Sequence, residues 1–181
     1  FARRALGVPE NNIRHIMNHK ATRIELKKSL RRWIPSLIKK GKTDVYIFFA
    51  GHGLVSNDGQ KLYLLPHDAE IDLLEDSAIS REEIFEILAE FAPRSVVAFF
   101  DTCYSGGTRN KEVLVSDTRG IRIAPKLNAL PVSFTTFSAA RNDQTSSSLP
   151  EVKHGLFSYF LMKGLEGDAD INHDRKITAL E

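Results

Sequence analysis

The chain contains a single cysteine, Cys103, and one of its six histidines, His52, stands between two glycines. Nucleophilic catalysis needs a thiol and an imidazole of this kind. A free thiol, with a pKa of about 8.5, is mostly protonated at neutral pH, and a nearby imidazolium raises the thiolate fraction. Thiolate can attack a carbonyl, and the histidine can then protonate the departing amine. A lone cysteine excludes an intramolecular disulfide and a four-thiolate metal site, and it fits a reducing compartment. Taken alone, such a cysteine is more often a small buried apolar residue. A histidine between glycines is more often a plain turn residue.

What sets the two apart is what precedes them. Val45-Tyr-Ile-Phe-Phe-Ala50 and Ser95-Val-Val-Ala-Phe-Phe100 are continuous apolar runs rich in β-branched and aromatic residues. Both read as buried central strands. Gly51-His52-Gly53 follows the first run, and Asp101-Thr-Cys103-Tyr-Ser-Gly-Gly107 follows the second. In open α/β sheets the ligand site lies beyond the carboxyl ends of the strands. If the two strands are parallel neighbours, His52 and Cys103 emerge together at one sheet edge. The oxyanion of an acyl-transfer step needs preorganised donors. The backbone N–H groups of Gly53 and Cys103 are the expected pair.

The remaining elements fit such a sheet. Thr22 with Glu25, and Ser80 with Glu83, have capping-box spacing and start helical patterns. Pro35 falls inside the first pattern and predicts a kink. Ile13–Met17, Lys61–Leu65 and Pro131–Phe137 read as further strands, His154–Leu165 as a helix, and 108–128 and 138–150 as loops. Strands alternating with capped helices predict an α/β domain with a mostly parallel central sheet and helices on both faces.

Composition excludes little else. The 181 residues suffice for one domain, and the net charge of +2 gives no global argument for nucleic acid. Lys27, Lys28, Arg31, Arg32, Lys39 and Lys40 decorate the first helix, and they read as a solvated basic face. No run of 18 apolar residues exists, so no membrane partner is expected. There is no signal-peptide pattern. The chain begins at Phe1 and reads as the excised core of a longer, cytoplasmic protein.

Tyr46-Ile-Phe-Phe-Ala-Gly-His52-Gly with Ala98-Phe-Phe-Asp-Thr-Cys103-Tyr-Ser-Gly resembles the caspase-like peptidases, and within them the metacaspase and bacterial orthocaspase branch. The resemblance extends to Phe137-Ser-Ala-Ala-Arg-Asn-Asp143-Gln-Thr-Ser146 and covers nearly the whole chain. It implies a caspase-type sandwich over 1–167, with the family's first strand missing before Phe1, and a Cys103–His52 dyad. It also implies a preference for basic P1 residues. Asp101 and Asp143 converging on one pocket would suit the multi-donor guanidinium of Arg or the ammonium of Lys. Tyr104 departs from the histidine usual after the metacaspase cysteine, and Gln-Ala-Cys of animal caspases is absent. Arg109, Lys111, Arg119, Arg122 and Lys126 make the 108–128 loop a candidate for self-cleavage by an Arg/Lys-specific enzyme.

The chemistry needs no cofactor. Residues 168–181 nevertheless open an EF-hand-like loop. Asp170, Asn172, Asp174, Thr178 and Glu181 fall at oxygen-donor positions, with the Lys176 carbonyl between them, so calcium is the expected cation. Arg175 stands where a glycine normally makes the sharp turn.

Two rival readings remain. A catalytically silent caspase-fold module for binding or scaffolding is disfavoured because both dyad residues are present. A cysteine phosphatase would use Cys103-Tyr-Ser-Gly-Gly-Thr-Arg109 as a phosphate loop. Asp101 and the lack of a following helical pattern argue against it.

Overall fold

The computed structural model describes residues 2–4, 6–56, 58–105, 133–139, 156–178 and 181. It divides into two compact units, 16–145 and 1–15 with 146–181.

In the first unit, Thr22 caps α1 (Arg23–Lys28), its hydroxyl accepting the Glu25 N–H at 3.3 Å. A wide π-type turn, Ser29–Trp33, leads into α2 (Ile34–Leu37), which carries Pro35 in its first turn. Proline has no N–H, and its ring crowds the carbonyl four residues back. The wide turn before Pro35 is where the helix absorbs that conflict.

The strands are β1 (Asp44–Val55), β2 (Leu62–Leu64), β3 (Ile79–Ser80), β4 (Ser95–Ser105) and β5 (Phe134–Ser138). Helices α3 (Leu74–Ser77) and α4 (Arg81–Ala89) lie between β2 and β4 in sequence. Ser80 caps α4 by accepting the Glu83 N–H at 3.0 Å. The five strands form one sheet in the order β3-β2-β1-β4-β5. Strands β1, β4 and β5 run parallel, and β2 and β3 add an antiparallel edge.

Alternation along the strands separates two faces. Val45, Val96, Ala98, Phe100 and Phe134 face a core closed by Leu30, Ile84, Phe85, Ile87 and Leu88. Phe85 meets the rings of Phe100 and Phe134 edge-on, at 6.2 and 5.9 Å. A salt bridge from Lys27 to Glu83 (2.8 Å) ties α1 to α4, and Lys28 pairs with Glu25 (2.6 Å) within α1, so two members of the basic face are paired. On the opposite face, Phe48, Phe99 and Phe137 stand in register across three strands. Phe99 stacks on Phe137 at 5.3 Å, while Tyr46 and Phe48 remain exposed.

Three expectations are corrected. Ile13–Met17 is no strand: it is extended chain between 3-10 turns at Glu10–Asn12 and Asn18–Lys20, and among the described residues no strand pairs with it. Neither β1 nor β4 stops at its apolar run. Both continue for five residues more, through His52 and Cys103. The ladder persists because β2 returns alongside Gly53–Val55 and β4 follows β1 to Ser105, so the backbone groups keep partners.

In the second unit, α5 (Leu156–Lys163) runs into a wide turn at Gly164–Asp168. The loop from Asp170 follows. Among the described residues, no helix is long and apolar enough to cross a membrane.

Candidate active site

His52 and Cys103 are Cα partners in the parallel β1–β4 ladder. Neighbouring strands lie about 4.8 Å apart, and register partners share a face of the sheet. Fifty-one positions of sequence therefore reduce to one rung. His52 is exposed, and its carbonyl accepts the Leu65 N–H at 3.0 Å, which anchors it to the strand on its far side.

Gly51 and Gly53 lie in regular strand. At Gly51 the reason is space: a Cβ there would sit 3.1 Å from Cε1 of the Phe49 ring. Any side chain would crowd that ring, which packs against the core on the sheet face opposite His52.

Ladder parity fixes where the two expected oxyanion donors point. The Leu65–His52 bond turns the His52 peptide groups toward β2, so those of Gly53 face β4. On β4, the Val96 N–H donates to Ser133 (3.0 Å) and the Phe100 carbonyl accepts from Ala139 (2.9 Å). Even-numbered residues of β4 thus face β5, and Cys103 faces β1. The N–H groups of Gly53 and Cys103 both point into the gap between β1 and β4, where strand pairing uses them.

Asp101 lies on the same sheet face as Cys103, two residues earlier, and is half-buried opposite Ala50. The structure so brings together His52, Cys103 and Asp101. Asp143, the second expected S1 carboxylate, lies outside the described residues, as do all five basic residues of 108–128. Of the phosphate loop in the phosphatase reading, Cys103, Tyr104 and Ser105 continue strand β4, and 106–109 lie outside the described residues.

The calcium expectation falls in the second unit. Asp170 accepts the amides of Asp174 (3.0 Å) and Arg175 (2.9 Å). Asn172 accepts that of Asp174 (2.9 Å), and Asp174 accepts that of Lys176 (2.8 Å). Glu181 takes both the N–H and the hydroxyl of Thr178, at 2.9 and 3.0 Å. Arg175 adopts the left-handed turn itself (φ 64°), so the missing glycine does not prevent the bend. The carboxylates are engaged with the loop's own backbone. Among the described residues, no three His, Cys, Asp or Glu side chains gather to hold a metal ion.

One feature near the dyad has no signature in the sequence. Past His52, the end of β1 borders an open cleft of about 480 Å³ that is rimmed by Asp58, Asp72, Glu75 and Asp76. These residues are spread over nineteen positions, and only the return of β2 along β1 brings them together. A hydrophobicity pattern carries no trace of that.

The family model for the caspase domain matches residues 10–179, nearly the whole chain. A search of curated proteins gave no match. With a parallel sheet that sets a histidine and a cysteine on one rung, the match gives a single conclusion: this chain belongs to the caspase-domain family of cysteine peptidases.

Proposed function

We propose that the chain is an endopeptidase in which Cys103 is the nucleophile and His52 its acid–base partner, cleaving after Arg or Lys. The observation that carries this reading is the register of the ladder, which makes the only cysteine and His52 direct neighbours. His52 draws the proton from the thiol, Cys103 attacks the scissile carbonyl, and His52 returns a proton to the leaving amine. Water then hydrolyses the acyl-enzyme. In this reading the amides of Gly53 and Cys103 are the oxyanion donors, a role that requires their N–H groups to leave the β1–β4 pairing. Each such donor is worth roughly 3–4 kcal/mol in the transition state.

Specificity for a basic P1 residue rests on Asp101, whose carboxylate lies on the same face two residues from the nucleophile. Asp143 is the second carboxylate of that pocket in this reading. The same specificity makes the 108–128 segment, with its five basic residues, a substrate for its own enzyme.

One experiment tests nucleophile and self-processing together. Purified protein and a Cys103→Ala variant are incubated side by side, with and without an Arg-P1 fluorogenic peptide. Wild type hydrolyses the peptide and fragments within 108–128, and the variant does neither. Equal behaviour of the two proteins, active or inert, rejects the reading and favours a catalytically silent caspase-fold module.

Calcium binding at 170–181 is a separate proposal. It rests on donor spacing and on the turn that Arg175 completes. Calorimetric titration gives heat at or below millimolar calcium if the loop binds it. An Asp170→Ala, Asp174→Ala variant gives none, and a silent wild type rejects the site.

A further inference from the structure

The cleft past His52 has an apolar floor and a charged rim. Leu54, Val55 and Tyr63 form the floor and are all buried. Ile71 and Leu73 stand at its edge, 50% and 54% exposed. Asp58, Asp72, Glu75 and Asp76 supply the charge. Hydrogen bonds from Ser56 and the Gln60 N–H hold the Asp58 carboxyl below its ordinary range, so it stays ionised. Among the described residues, no lysine or arginine forms an ion pair with Glu75 or Asp76. Burial pushes the Tyr63 phenol up, and Glu75 and Asp58 push it further, as a negative field over the floor requires.

Place and chemistry identify the occupant. In the order β3-β2-β1-β4-β5, strand β2 lies on the side of β1 away from Cys103. The cleft is therefore on the histidine side of the dyad. A histidine that protonates the leaving amine faces the fragment that departs, which is the chain after the scissile bond. Leu54 and Val55 lie two and three residues past His52, roughly 7–10 Å along the strand at about 3.3 Å per residue. An extended substrate covers that distance in two or three residues. Lys and Arg side chains have an apolar stem and a cationic head, and they match an apolar floor with an anionic rim.

We infer that this cleft is a second specificity subsite, taking a Lys or Arg side chain two to four residues beyond the scissile bond. The inference rests on the peptidase reading above and deepens it. The enzyme then selects basic segments and not only a basic P1 residue.

The test uses quenched fluorescent peptides with a fixed Arg at P1. They carry either Lys or Glu at the second to fourth positions after the scissile bond. An Arg-P1 aminocoumarin amide, with nothing beyond the scissile bond, reports the dyad alone in wild type. The expected result is a kcat/KM about tenfold higher for the Lys peptide, carried mostly by KM and shrinking as salt is raised. A Glu75→Lys, Asp76→Lys variant brings that ratio to one or below. Glu75→Gln, a milder change, lowers it if the double variant does not fold. Turnover of the aminocoumarin amide with equal rates for Lys and Glu peptides overturns the subsite and leaves the dyad standing. So does a ratio that the variants do not move. No turnover of any substrate overturns both.

Discussion

His52→Ala lowers kcat/KM toward an Arg-P1 peptide by about 10³-fold, within the roughly 10²–10⁴ range of a lost general acid–base. The change removes two functions at once. Without an imidazole alongside, Cys103 falls back to an ordinary thiol, which is only a few per cent thiolate at neutral pH. The leaving amine also departs without a proton. The pH profile separates these from mere misfolding. In the variant, residual activity climbs about tenfold per pH unit up to the ordinary thiol pKa near 8.5. Cys103→Ala has no such recovery at any pH. A His52→Ala protein that keeps most of its activity, with an unchanged pH profile, would remove the histidine from the mechanism. Because His52 is exposed, the substitution opens no cavity and should leave the melting temperature within a few degrees.

Asp101→Asn is expected to cut kcat/KM for Arg-P1 peptides by about 10- to 100-fold and to spare a citrulline-P1 peptide. The amide keeps the size of the carboxylate and removes its charge. Hydrogen bonds to a charged partner are worth about 1.5–3 kcal/mol, which sets that range. The urea of citrulline is close in shape to a guanidinium but neutral, so its turnover isolates the charge. Equal losses for both peptides would show that Asp101 braces the strand and does not read the substrate. Its half-buried place in the middle of a paired ladder makes that the natural competing role.

Both predictions concern residues that are visible in the chain before any coordinates. The apolar runs 45–50 and 95–100 and the two capping boxes marked β1, β4, α1 and α4 because each rests on local physics: alternation, burial and a hydroxyl three residues before a free amide. Strand ends were harder to read. Gly51-His52-Gly53 looks like a stop, yet the strand goes on, because what decides is whether β2 and β4 supply partners. That is non-local information. Ile13–Met17 failed the other way, with strand-like residues but no neighbour. The register pairing of His52 with Cys103 was foreseen only as a shared sheet edge. The acidic cleft was not foreseen at all, since its carboxylates meet only after β2 folds back. Arg81, the first residue of α4, is buried with Glu82 at 3.6 Å, and nothing local in the sequence marks it for the interior.

The central claim is that Cys103 is a thiolate nucleophile because His52 stands beside it. Covalent labelling with a peptidyl-arginine chloromethyl ketone, followed by intact and fragment mass at neutral pH, measures this without relying on turnover. The account predicts one adduct per chain, on Cys103, formed at least about tenfold more slowly in His52→Ala and not at all in Cys103→Ala. Labelling of His52→Ala at the wild-type rate, or an inert Cys103 in the wild-type protein, would contradict it.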